Sequence, residues 1–175
     1  MFIAFEGIDG AGKSTQARIL YDALRQKNKV FLTKEPSEGI IGRSIKELLH
    51  RNDLSPLAMQ MLFSADREEH VSKVIMPKIN EGYHVISDRY VMSTLAYGIA
   101  AGIDKKRLDG ICIGMPEPTM TFVLDISADK AYERLKGRGG EVHGVREPRI
   151  FGQGEGSIPG TSKGKAQLHG HRFQR

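Results

Sequence analysis

The chain is short of several things that would otherwise widen its range of functions. It has one cysteine, Cys112, so no internal disulfide can form, and this usage fits a reducing cytosol. Cys112 itself reads as a small buried apolar side chain. No run of about 18 apolar residues occurs, which excludes a helical membrane span. Met1 leads directly into an apolar stretch without the basic segment of a secretory signal. A cytoplasmic location with no membrane partner is expected. The formal net charge of +5 suggests nucleic acid at first sight. The excess is local, however. Residues 143–175 carry Arg146, Arg149, Lys163, Lys165, Arg172 and Arg175 against only Glu147 and Glu155. The remainder is nearly neutral, so no nucleic-acid partner is expected.

At 175 residues the chain is long enough to bury one sizeable core. Four short apolar runs read as buried parallel strands: residues 2–6, 30–33, 84–87 and 121–126. Helical spacing predicts helices over 14–28, about 40–50, 55–81, 93–101 and 127–136. Ser55 followed by Pro56 marks a helix start, a cap and then a proline in the first turn. Val71, Val74, Ile75 and Ile79 are expected on one face of the long helix. Strands alternating with helices predict an α/β fold, an open parallel sheet with helices on both faces. No repeat or low-complexity linker interrupts residues 1–136.

The first chemical signal is "GIDGAGKS", residues 7–14, between the first strand and the first helix. Gly7, Gly10 and Gly12 permit a backbone nest whose N–H groups converge on an anion. The following helix adds the positive end of its dipole. Lys13 supplies a mobile charge for β- and γ-phosphates, and the Ser14 hydroxyl suits Mg²⁺. The loop as a whole, Gly7, Ile8, Asp9, Gly10, Ala11, Gly12, Lys13, Ser14 and Thr15, is expected to bind a nucleoside triphosphate. It does not say where the phosphate goes.

Three further clusters follow strand ends, where an open parallel sheet places ligands. "TKEPSEG" contains Glu35 and Pro36. "LFSADREEH" places Phe63 and Arg67 four residues apart on one helix face, an aromatic beside a guanidinium that suits a planar base and its polar edge or phosphate. In "SDRYVMSTLAYG", Asp88 stands where an acid can hold Mg²⁺ or its waters, and Arg89 can clamp an incoming phosphate. Each has a plainer reading: Phe63 as core, Arg67 as an ion pair with neighbouring acids, and Asp88 with Arg89 as partners of each other.

Taken together, "FEGIDGAGKST", "KEP", "LFSADR" and "DRYVMSTLAY" resemble the thymidylate kinase family in order and spacing. "PEPTMTFVLDISADKAYERLKGRG" resembles its fourth strand and the entry to its lid. The likeness covers about residues 1–141. It implies a dTMP kinase using ATP and Mg²⁺, with dTMP as its small-molecule partner, and it raises a homodimer. By the same likeness, Asp9 reaches toward the dTMP sugar and phosphate, Phe63 stacks on thymine, and Arg67 contacts base or phosphate. Arg89 binds the dTMP phosphate, Tyr90, Ser93 and Tyr97 line the pocket, and Glu35 contributes to it. Tyr97 is the expected aromatic against the sugar carbon that lacks a hydroxyl. Gly98 departs from the pattern, since the family often has glutamine there. Some members carry a loop arginine where this chain has Gly10, so the cation on the transferring group is expected from the lid, Arg134 or Arg138, with Arg138 favoured by its glycine neighbours. Other readings are a kinase of the same architecture with another acceptor, a nucleotide switch, and an impaired remnant.

A kinase domain over 1–142, its lid around 134–142, is thus expected to be followed by an atypical tail. Residues 143–175 contain seven glycines and only seven apolar residues, too few to offset ordering entropy. Shifting the frame by one nucleotide permits "TVFENPEFLAKVRE" opposite "HGVREPRIFGQGEG", with Phe, Leu and Val at helical intervals. The tail therefore reads as disordered, and as an out-of-frame version of a normal C-terminal helix.

Overall fold

The computed structural model describes residues 1–51 and 53–137. Four parallel strands, β1 (Phe2–Glu6), β2 (Val30–Lys34), β3 (His84–Asp88) and β4 (Met120–Val123), lie in the order β2-β3-β1-β4. Alternation along β1 supplies both cores. Phe2 and Ala4 pack with Val71, Ile75, Val85 and Tyr90, while Ile3 and Phe5 pack with Ala17, Val30 and Ile86. All five β1 residues are buried, because the strand has neighbours on both sides and helices over both faces. The β4 residues are only partly buried, and among the described residues that strand pairs with β1 alone. The parallel α/β sheet expected from the sequence is the fold observed.

The helices are α1 (Lys13–Leu24), α2 (Ile40–Arg51), α3 (Pro56–His70), α4 (Met76–Asn80), α5 (Val91–Ala100), α6 (Lys105–Ile111) and α7 (Ala128–Lys136). Ser55 caps α3, accepting from the Ala58 N–H at 3.3 Å, with Pro56 in the first turn as its sequence suggests. Four details differ from the sequence reading. First, α1 stops at Leu24 instead of residue 28, where the N–H groups of Lys27 and Asn28 both turn back to the Leu24 carbonyl. Second, the long helix is interrupted by a π-helical stretch, Val71–Ile75. Pro77 lacks the N–H that an α-helix would direct to Lys73, and its ring crowds that carbonyl. Val71 and Ile75 still reach the core, with Ile79 packed on it, but Val74 turns into a groove along β2. Third, β4 ends at Val123, the partner of Glu6, because the chain beyond Glu6 leaves the sheet to form the glycine loop. Fourth, α6 was not anticipated. Its cap is Asp104, which accepts from the N–H groups of Lys106 and Arg107. The proposed domain end, Arg138, and the disorder and frame readings of the tail lie outside the described residues.

Candidate functional site

Strand ends and helix starts meet at one edge of the sheet, where β1 runs into the loop Gly7–Gly12 and α1 begins. Gly7, Gly10 and Gly12 all have positive φ, 142°, 84° and 98°. At Gly10 the requirement is also steric, since a Cβ would stand 2.5 Å from the Ala131 carbonyl oxygen. Helix α7 thus rests directly on the loop. This contact lets Arg134 donate from Nη1 to the carbonyls of Gly10 (3.4 Å) and Ala11 (3.5 Å).

Lys13 is buried, donates from Nζ to the Ile8 carbonyl at 2.8 Å and lies 3.8 Å from Asp9. Burial, and then the nearby Arg89 charge, bring its pKa down to about 8. Ser14 Oγ donates to Asp88 Oδ2 at 2.5 Å, which joins the first turn of α1 to the end of β3. Asp88 Oδ1 is buried with no hydrogen-bond partner among the described residues. A hydroxyl and an unpartnered carboxylate oxygen fit a hard divalent cation. Among the described residues no group of three or more His, Cys, Asp or Glu could hold a metal ion, so such an ion would draw its remaining ligands from phosphate and water.

Arg89 follows β3 with φ 76°, the one positive-φ residue among the described residues that is not glycine. L side chains avoid that region, at a cost of about 1–2 kcal/mol, so the surrounding contacts must hold it. Its guanidinium bonds Asp9 through Nη2 and donates from Nη1 to Ser93 Oγ (3.1 Å) and the Gly7 carbonyl (3.3 Å). It also lies 5.4 Å from the Tyr97 ring centroid, with the Tyr97 hydroxyl 3.4 Å from Nη2. Burial works against the Arg89 charge, but Tyr97, Asp9 and Glu6 outweigh it and raise the pKa. Burial also pushes the Tyr97 hydroxyl up. Asp9, Lys13, Arg89, Ser93 and Tyr97 are therefore one cluster. Asp88 and Arg89 do not pair with each other; each reaches back to the loop or α1.

A second cluster lies behind the first. Arg67 is 1% exposed and donates from Nε to Glu35 (2.8 Å), from Nη1 to Thr94 (3.0 Å) and from Nη2 to the Tyr90 carbonyl (3.1 Å). The other Glu35 oxygen is 3.4 Å from His70 Nδ1, and His70 Nε2 is 2.7 Å from Thr33 Oγ1. Glu35 and Arg67 thus have each other as immediate partners. A charge this deeply buried needs its counter-ion within the protein. Phe63 is half-buried one turn before Arg67 on α3. Tyr90 is a core residue, edge-on to Phe2, and its hydroxyl donates to the Pro116 carbonyl at 2.9 Å. Burial raises the Cys112 thiol, which is near Arg67 and half-buried.

With the glycine loop, Lys13 and Arg89 brought together, known proteins offer a direct comparison. A model of the family described as thymidylate kinase matches residues 5–153. The chain belongs to the thymidylate kinase family. A probable thymidylate kinase of Pyrobaculum aerophilum is 44% identical over 140 residues, which cover 79% of this chain and 71% of that one. A thymidylate kinase of Synechococcus sp. is 42% identical over 144 residues, covering 79% and 70%. The crystal structure of thymidylate kinase from Ehrlichia chaffeensis superposes with a TM-score of 0.67 at 36% identity, covering 78% of this chain and 82% of that one. The family match runs on to residue 153, past the boundary read near 142.

Against the family pattern, the departure at Gly98 has a local cause. A Cβ there would stand 2.5 Å from Leu108 Cδ2 of α6, and Leu108 is fully buried. Position 98 therefore faces the α5–α6 contact. Sequence reading missed three polar residues that build this thymidylate kinase site from behind: Glu6, His70 and Thr94. A signal existed for Glu6, a lone carboxylate closing an otherwise apolar strand. Nothing local marks the other two, whose partners are distant in the chain.

Proposed function

We propose that this chain transfers the γ-phosphoryl group of ATP to dTMP, giving dTDP and ADP. An oxygen of the dTMP phosphate attacks the γ-phosphorus, the new P–O bond forms, and the bond to the β,γ-bridging oxygen breaks as ADP leaves. The observation that carries the reading is Arg89, held by Asp9 of the glycine loop and Ser93 of α5 beside Lys13. A donor cradle alone serves many nucleotide-binding proteins; a half-buried cation beside it suits a second, phosphorylated substrate. Lys13 and the loop N–H groups bind the donor's β- and γ-phosphates, and Arg89 holds the acceptor phosphate in line. Ser14 and Asp88 would hold Mg²⁺, whose chemistry is to neutralise the donor phosphate oxygens. Phe63 and Tyr97 flank the thymidine moiety, while Arg67 and Glu35 brace the wall behind it. Arg134, already against the loop carbonyls, supplies the further cation on the transferring group, and Arg138 is the second lid arginine.

The same reading includes a homodimer and a cytoplasmic location. Exposed apolar side chains on α2 and α3, Ile40, Leu49 and Met61, support self-association. No helix among the described residues is long and apolar enough to cross a membrane. A coupled ADP-release assay with and without dTMP tests the function, with dUMP, CMP and a nucleoside as competing acceptors. ADP release that depends on dTMP is expected. Release that does not depend on it, or that prefers another acceptor, refutes the reading.

A further inference from the structure

We propose that Glu6 is a positioning residue for the acceptor-phosphate arginine: its buried carboxylate fixes the Arg89 turn and orients the Ser93 hydroxyl against the Arg89 guanidinium. The proposal rests on dTMP phosphorylation as the reaction of this chain. Glu6 is the last residue of β1 and is 3% exposed. Its Oε1 accepts from the Tyr90 N–H at 2.9 Å and the Ser93 N–H at 3.3 Å. Its Oε2 accepts the Ser93 hydroxyl proton at 2.6 Å. Ser93 has one proton to give, and because it goes to Glu6, the Ser93 oxygen presents lone pairs to Arg89 Nη1 at 3.1 Å. The polarity of the chain Glu6–Ser93–Arg89 is set by the carboxylate.

The same carboxylate bears on the backbone. Arg89 is the left-handed residue, and its C-terminal neighbour Tyr90 is gripped at both ends, the N–H by Glu6 and the carbonyl by Arg67. These two anchors on Tyr90 add to the bonds on Arg89 itself, whose N–H donates to the Phe5 carbonyl at 2.9 Å and whose carbonyl accepts from Ser87 Oγ at 2.8 Å. Glu6 also contributes negative charge that favours the charged form of Arg89, while on Lys13 it is the weakest of the charges that act. Burial raises its pKa to about 7, so at pH 8 the carboxylate form prevails.

Glu6→Gln isolates the orienting role. Glutamine keeps an acceptor oxygen for the two backbone N–H groups, but its NH₂ cannot accept from Ser93, whose proton must turn elsewhere. At pH 8 we expect the KM for dTMP to rise about tenfold or more, the scale of one charge-assisted hydrogen bond. The KM for ATP should stay within about twofold, with the unfolding midpoint no lower than the parent's, since a buried charge is removed. Ser93→Ala is the second arm. With the hydroxyl gone, adding Glu6→Gln should have no further effect on dTMP, and the dTMP dissociation constant from calorimetry should follow the same order. An unchanged dTMP KM, an equal rise in both KM values, or additive effects in the double variant overturns the proposal. A parent chain that neither binds nor phosphorylates dTMP overturns the function and this proposal with it. A parent that does both while Glu6→Gln matches it overturns the proposal alone.

Discussion

Replacing Arg67 by methionine tests how the back of the site is held. The substitution keeps an unbranched side chain of moderate length but removes the guanidinium, so three acceptors lose a donor at once: Glu35, Thr94 Oγ1 and the Tyr90 carbonyl. Glu35 suffers most. Its side chain is 3% exposed, and among the described residues the hydrogen-bonding side chain left beside it is His70, at 3.4 Å. Breaking a buried pair by removing one partner costs about 3–5 kcal/mol, because the survivor stays charged and dry. For a domain of this size about 1 kcal/mol moves the midpoint by about 2–4 °C, so a fall of roughly 6–20 °C is expected. The decisive comparison is the double variant Arg67→Met/Glu35→Gln. It removes the stranded charge, and the loss should shrink to about 1–2 kcal/mol, the scale of the hydrogen bonds still missing. Urea denaturation at pH 8 measures both. Arg67→Met within about 1 kcal/mol of the parent, or a double variant no more stable than the single one, would refute the buried-pair account. In that event Arg67 would be a ligand-facing arginine with little structural role.

The remaining expectations follow from other contacts. Because burial lifts the Glu6 pKa from 4.5 to about 7, the folded state holds a proton that the unfolded state releases. Stability from this group is therefore full below about pH 4.5 and lost as pH rises to about 7, a fall of about 3 kcal/mol. Thermal melts between pH 5 and 8 should show that slope in the parent and not in Glu6→Gln; matching slopes would exclude Glu6 as its source. Gly10→Ala combines φ 84° with a Cβ 2.5 Å from the Ala131 carbonyl. It should destabilise by about 2 kcal/mol or more and push α7 with Arg134 off the loop, lowering kcat. A melt and kcat equal to the parent's would mean α7 does not rest there. Arg134→Ala and Arg138→Ala, measured side by side, should distinguish the transferring-group cation. Its loss cuts kcat by about 10²-fold or more with the dTMP KM little changed, and an Arg134→Ala variant of normal kcat would return that role to Arg138.

Local pattern made much of this protein legible. The parallel sheet follows from short apolar runs alternating with helical spacing, because a strand buried on both faces must be apolar throughout. The glycine loop follows from its residues too, since glycine adopts the positive φ at Gly7, Gly10 and Gly12 without the strain other residues would carry. Local pattern failed where a partner comes from far away. Helix α6 was missed because its seven residues carry little periodicity and are held by Leu108 packing against Gly98. The π-helical stretch was missed because Pro77 sits in an otherwise regular apolar spacing. Spacing along α3 gives the face on which Arg67 lies, but not the Glu35, Thr94 and Tyr90 groups that meet it there.

By itself, then, the sequence determined the parallel sheet and the positive-φ glycine loop, both written in neighbouring residues whose backbone preferences act locally. Tertiary structure alone decided which charges are paired. Glu35 and Arg67 are 32 positions apart, Arg89 and Asp9 are 80, and Ser93 and Glu6 are 87. Such pairs form because removing a charge from water is costly unless a counter-charge or donor arrives with it, and chain topology determines which one arrives.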